Sequence, residues 1–163
     1  MKQLIVTRHA KSSWNSDASS DFLRPLNKRG KSDTPMMAAR LVKRGPLPEL
    51  ILASTAKRAL HTAELINTEL SLGKENLLTT DSIYEAPLSA LQKATTTLPD
   101  DVSRVMLVGH NPGVSNLCNF LCQSAGIEMP TCAMACFDLD IDKWNDTYKD
   151  CATLRWYDYP KNL

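Results

Sequence analysis

The 163-residue sequence predicts an α/β fold of three layers, a mostly parallel central sheet with helices on both faces. Three observations predict it. Short, continuously apolar runs at residues 4–6, 50–53 and 105–108 have the composition of strands buried on both faces. Between them lie stretches whose apolar residues recur at helical spacing. No linker, repeat or low-complexity tract breaks the alternation, and the length suits a single domain spanning 1–163.

The elements follow in order. Leu4, Ile5, Val6 and Thr7 form a buried strand that ends abruptly in Arg8 and His9. A polar loop at residues 12–20 borders that end. Asn27 is placed to cap a helix running to about Arg44, with Met37, Ala38, Leu41 and Val42 on one face. Pro35 removes a backbone donor there, so the sequence predicts a kink, or a short turn with the helix restarting near Thr34. Gly45 and Pro46 stop it. Residues 49–54 are a second strand, followed at once by a helix with Ala59, Leu60, Ala63, Ile66 and Leu70 on its inner face. A weak third strand at 77–80 leads to a loop at 83–87, then to a helix through Ala90, Leu91 and Ala94 that ends by Pro99. Residues 104–109 are the fourth strand. His110, Asn111, Pro112 and Gly113 turn into a helix buried through Val114, Leu117, Cys118 and Leu121. Two strands at 133–139 and 152–157, joined around Trp144, would add an antiparallel edge.

Composition limits the function classes. A formal charge of +1 and 23% charged residues do not describe a surface for nucleic acid. The opening residues hold one Lys and a three-residue apolar run, too short for a signal peptide, and nothing later approaches a membrane span. Five cysteines make no disulfide framework and read as free thiols in a reducing compartment, so a cytoplasmic protein is expected. Cys118 with Cys122, and Cys132 with Cys136, share a spacing of four that zinc could use. Cys118 lies on the apolar stripe, however, which favours small buried hydrophobes and no metal.

The chemistry gathers at strand ends, where ligands of open α/β sheets bind. The first strand ends in Arg8 and His9; the second ends at Ser54, with Arg58 in the next helix's first turn; the fourth is followed by His110. A cation in a first turn is unfavourable by about 0.3–1 kcal/mol, unless an anion sits there. Arg offers a permanently charged fork that suits phosphate, and neutral His is a nucleophile. One imidazole attacking phosphorus, with the other groups spread over the remaining oxygens, needs no cofactor. The arginines supply the charge that magnesium provides elsewhere, and the sequence has neither a Gly-rich Walker loop nor an acidic metal cluster.

Arg8-His9, Ser54-x-x-x-Arg58-Ala59-x-x-Thr62-Ala63 and Gly109-His110 resemble the histidine phosphatase superfamily, with its phosphoglycerate-mutase-like fold. Asp21-x-x-Arg24-Pro25-Leu26-x-x-Arg29-Gly30 and Gly109-His110-Asn111-Pro112-Gly113 are similar to SixA-type protein-histidine phosphatases. The resemblance runs from Leu4 to about Trp156 and implies one SixA-like domain. It makes His9 the phosphoacceptor and gives Arg8, Arg58 and His110 the rest of the phosphate pocket. Arg24 would touch substrate or brace the pocket. Ala10 departs from the glycine that commonly follows Arg-His. Broader family members take a proton donor from the loop after the third strand, while SixA-type proteins lack a dedicated one; Glu85 lies on that loop and is the candidate acid.

The function implied is a metal-independent phosphatase working through phosphohistidine on His9, acting on phosphohistidine of a protein. The alternatives are a phosphomonoesterase acting on phosphoserine, phosphothreonine or a small phosphorylated metabolite, and a non-catalytic phosphate-binding module. Only short loops follow the strand ends, so the pocket should be open. Trp14 and Asn15 could reach a substrate from their loop, and His61 shares a helix face with Arg58.

Overall fold

The computed structural model describes residues 1–14 and 17–163. The expectation attached to Asn15 therefore lies outside the described residues. The elements are β1 (Lys2–Arg8), α1 (Lys28–Arg44), β2 (Leu50–Ser54), α2 (Lys57–Glu69), β3 (Leu77–Thr80), α3 (Leu88–Thr96), β4 (Arg104–Gly109), α4 (Gly113–Leu121), β5 (Met134–Leu139) and β6 (Ala152–Asp158).

They build one six-stranded sheet in the order β3-β2-β4-β1-β5-β6. β3, β2, β4 and β1 run parallel, and β5 and β6 add an antiparallel edge. Alternation along each strand divides the core in two. Leu4 and Val6, Leu50 and Leu52, and Val105 and Leu107 pack on the side of α3 and α4. Ile5, Ile51, Ala53, Met106 and Val108 pack on the side of α1 and α2. Both faces of β1, β2 and β4 are buried, which is why their sequences lack polar alternation, whereas the edge strand β3 is partly exposed. Trp144 closes one end of the first cluster, its indole donating to the Val102 carbonyl at 2.8 Å.

Three local expectations change. α1 passes Pro35 as one uninterrupted helix from Lys28 to Arg44. The carbonyl that Pro35 leaves without a partner belongs to exposed Lys31, where water can satisfy it. Val42 is exposed, because the buried stripe of α1 is Gly30, Thr34, Met37, Ala38 and Leu41, and Val42 falls at its edge. Leu60 is only half-buried; Arg58, Ala59, Thr62, Ala63 and Ile66 form the inner face of α2. The caps agree with the sequence: the Asn27 side chain accepts from the Gly30 amide, and Gly45 ends α1 at φ 50°. Among the described residues no helix is long and apolar enough to cross a membrane.

Gly30 fixes how the chain leaves the first strand. A Cβ there would overlap the Lys11 carbonyl oxygen, so only glycine lets α1 pack against the segment after His9. Alanine would gain up to about 1 kcal/mol of helix propensity. The clash is with backbone and cannot be relieved by a rotamer change, so overpacking at about 1–3 kcal/mol outweighs it. Gly30→Ala should lower the denaturant midpoint at unchanged slope; a midpoint equal to or above wild type would refute the contact.

Candidate active site

Register alone brings three strand ends together. Arg8 pairs with Gly109 across β1 and β4, and Ala53 pairs with Val108 across β2 and β4. Ser54, Gly109 and Arg8 therefore end in one row, and His9 and His110 are the next residues out. The His9 amide donates to the Gly109 carbonyl at 3.0 Å, and the two imidazole centroids stand 5.1 Å apart. α2 starts just beyond β2, and its Ala56 cap offers no side chain to the first turn. Arg58 thus approaches the row from the side. All six residues singled out in the sequence, Arg8, His9, Arg24, Arg58, Glu85 and His110, line one open cavity of about 220 Å³.

His9 is 7% exposed. Its Nδ1 lies 2.8 Å from the Ala10 carbonyl oxygen, which can only accept. Nδ1 therefore carries the proton and Nε2 keeps its lone pair. Thr62 holds the loop in place by accepting from the Ala10 amide at 3.0 Å and donating to the Arg58 carbonyl at 2.7 Å. Burial pushes the His9 pKa down to about 3, with His110, Arg58 and Arg8 adding repulsion against the hydrogen bond to Ala10. At neutral pH the ring is an uncharged imidazole.

The tautomer of His110 follows from Ser54. The Ser54 hydroxyl accepts from the Ala56 amide at 3.2 Å and sits 2.8 Å from His110 Nε2. Ser54 is fully buried and its hydroxyl proton has no other acceptor among the described residues, so it donates to Nε2 and His110 carries its proton on Nδ1. That Nδ1 is buried without a partner in the protein, a donor left for a ligand. Burial, then the nearby Arg58, lowers the His110 pKa to about 4.

The negative charge opposite Arg58 comes from Asp21, which the sequence shows only as a motif position. Arg58 is 4% exposed and donates to the Asp21 carbonyl at 2.8 Å and to its carboxylate at 3.0 Å. Tyr84 adds a hydrogen bond to the same carboxylate oxygen at 2.6 Å and packs edge-on against His110. These donors, Tyr84 foremost and then Arg24 and Arg58, hold the Asp21 carboxyl well below the usual carboxylate range. The Asp21 signal was its place three residues before Arg24; Tyr84 had only its position next to Glu85.

Arg24 braces this wall. It donates to the Ser13 carbonyl at 3.0 Å, to Asp21 at 2.9 Å and to the Ser12 hydroxyl at 2.6 Å. Its guanidinium lies 3.5 Å from the ring centroid of Trp14, which stays 78% exposed at the cavity edge. Arg8 donates to the Met129 carbonyl at 3.0 Å, and burial lowers its pKa from the ordinary guanidinium value. Glu85 is exposed at the rim with φ 46°, a left-handed backbone that costs a non-glycine residue energy. His61 is half-buried and lines no part of the cavity. Cys118, Cys132 and Cys136 are buried; burial pushes the Cys132 and Cys136 thiols up to about 12, as for small apolar side chains. Among the described residues no group of three or more His, Cys, Asp or Glu is placed to hold a metal.

Two neutral buried histidines make a stability prediction. The unfolded chain takes up protons near pH 6.5, while the native chain resists until about 4 at His110 and 3 at His9. Unfolded protein thus binds more protons in that window, and native stability falls as pH drops from 6.5 toward 4. The slope is up to about 1.4 kcal/mol per pH unit for each histidine. Urea unfolding between pH 7 and pH 4 should show it, and His110→Gln should flatten it. Histidine ring nitrogen shifts that report protonation at pH 6 would overturn the assignment.

The fold and the cavity have relatives. Residues 4–105 match the model of the histidine phosphatase superfamily, branch 1. An uncharacterised chloroplastic protein of Arabidopsis thaliana is 30% identical over 90% of this chain and 71% of its own. A structure of the protein histidine phosphatase SixA complexed with tungstate superimposes with a TM-score of 0.84 at 26% identity, covering 99% of both chains. A candidate phosphohistidine phosphatase SixA from Agrobacterium tumefaciens gives a TM-score of 0.78 at 25% identity over 96% of each. Strand ends that gather two imidazoles and two guanidinium groups, on this sheet order and in this motif order, place the chain in the histidine phosphatase superfamily, among its SixA-type members.

Proposed function

We propose that this phosphatase works without a metal, through a phosphohistidine on His9, and that its preferred substrate is phosphohistidine on a protein. The observation that carries the reading is the His9 tautomer: Nδ1 is engaged by the Ala10 carbonyl, so the neutral Nε2 is free to attack. Nε2 forms a bond to phosphorus as the bond to the substrate nitrogen breaks. Arg8, Arg58 and Nδ1–H of His110 bind the three remaining oxygens. Water then attacks the phosphoryl group on His9, releasing inorganic phosphate and restoring the imidazole.

The substrate class follows from the leaving group. A phosphohistidine ring protonated at its other nitrogen departs as neutral imidazole, and needs no further acid. An alkoxide from phosphoserine does need one. Supporting this reading, a SixA relative at 26% identity is described as a protein histidine phosphatase and was obtained with tungstate, a tetrahedral oxyanion. The open cavity also admits a side chain presented by a protein.

The position of Glu85 on the cavity rim favours the second reading, a phosphomonoesterase with Glu85 as acid. Turnover of a phosphohistidine protein, a phosphoserine peptide and an aryl phosphate by wild type and Glu85→Gln separates the two. We expect phosphohistidine to be the best substrate and its turnover to change less than about twofold. A loss of roughly 10²–10⁴ on phosphoserine, with phosphoserine the better wild-type substrate, would establish the esterase instead.

A further inference from the structure

A second cavity, of about 380 Å³, adjoins the first and shares Arg8, Lys11 and Thr131 with it. Arg29, Tyr159 and Lys161 complete its far wall, and no carboxylate lines it. Lys11 and Lys161 are exposed and make no ion pair among the described residues. Acidic groups near it are Asp33, already 3.3 Å from Arg29, Asp158, already paired with Arg40 and Arg44, and Glu128, whose charge acts on Arg8. In a chain of net charge +1 this is a local concentration of positive charge beside the phosphate pocket.

The cations are held in place by their backbones. The Lys11 carbonyl accepts from the Asn27 amide at 3.0 Å and lies against Gly30. The segment carrying Lys161 is pinned to α1 by Arg40, which donates to the Tyr159 and Pro160 carbonyls and pairs with Asp158. The charges themselves are of a particular kind. Two are ammonium groups on flexible stems; of the two guanidinium groups, Arg29 is already paired with Asp33 and Arg8 is shared with the first cavity, so no rigid fork is preset here for a single small anion. Such a field fits several carboxylates spread along an extended chain, with the Tyr159 ring as an apolar contact.

We propose that this groove binds an acidic segment flanking the phosphorylated residue of a macromolecular substrate. The proposal rests on the phosphoprotein reading above and adds the sequence character that such a substrate carries.

Fluorescence anisotropy with a labelled Glu-rich peptide and its Gln-rich counterpart tests it. The Glu-rich peptide should bind about tenfold tighter at low ionic strength, roughly 1.4 kcal/mol, and the advantage should shrink as salt is added. Arg29→Gln combined with Lys161→Glu should abolish the difference while leaving turnover of a small phosphoramidate unchanged. Equal binding of the two peptides, or an advantage that survives in the double variant, would overturn the proposal. So would an equal gain for a small bisphosphate, which would make the groove a metabolite subsite. A Glu-rich preference without any turnover of phosphohistidine would uphold the groove and sink the phosphatase chemistry instead.

Discussion

Replacing His9 by glutamine should remove turnover of every phosphorylated substrate, by roughly 10⁴-fold or more, because in the proposed mechanism the variant has no atom that can accept the phosphoryl group. Incubation of wild type with a radiolabelled phosphodonor should leave an acid-labile, alkali-stable label on the protein, and His9→Gln should leave none. The variant should still fold. No charge is lost, since the imidazole is neutral above about pH 3, and the amide is close to the ring in size. Circular dichroism and the urea midpoint check this. Full activity in a folded His9→Gln protein would mean that the chemistry lies elsewhere, or that the cavity only binds phosphate.

Arg58→Lys is expected to lower kcat by roughly 10²–10³-fold while leaving a folded but weakened protein. The charge is retained, so the effect isolates the fork. The guanidinium reaches the Asp21 carbonyl and carboxylate at once, at 2.8 and 3.0 Å, with an edge left for a bound anion. A single ammonium cannot do all three. Stability should fall by about 1–3 kcal/mol, since one ammonium cannot keep both hydrogen bonds to Asp21; the Asp21 side chain is 38% exposed, which keeps the loss below that of a fully buried pair. Arg24→Lys should cost stability with a smaller loss of kcat, because the Arg24 contacts go to Ser12, Ser13 and Asp21. Equal kinetic losses at Arg24 and Arg58 would place both against the substrate. In the Arg58→Lys background, Asp21→Asn should cost further stability, because Tyr84 and Arg24 also donate to that carboxylate.

Much of the candidate site was legible because strand ends obey topology. A run such as Leu4 to Thr7 that is apolar at every position must be buried on both faces, and a parallel strand buried in that way presents its carboxyl end to the ligand crevice. Arg8, His9, Arg58 and His110 could be chosen on that ground before the motifs were recognised. Pro35 misled because its missing donor matters only where the freed carbonyl is buried, and Lys31 is not. Val42 and Leu60 misled because helical spacing marks a stripe without saying how wide the neighbouring surface is.

Local patterning by itself determined the strand and helix order, the parallel core with its antiparallel edge, and the four polar groups at the strand ends. Those features depend on hydrophobic period and chain direction, which are written residue by residue. Only the tertiary structure decided that Asp21 and Tyr84 complete the wall around Arg58, that Arg24 braces instead of facing the cavity alone, and which nitrogen of each histidine is free. Those depend on contacts across 37 and 63 residues of chain, and on hydrogen bonds whose direction is set by what lies opposite. No period in the sequence encodes them.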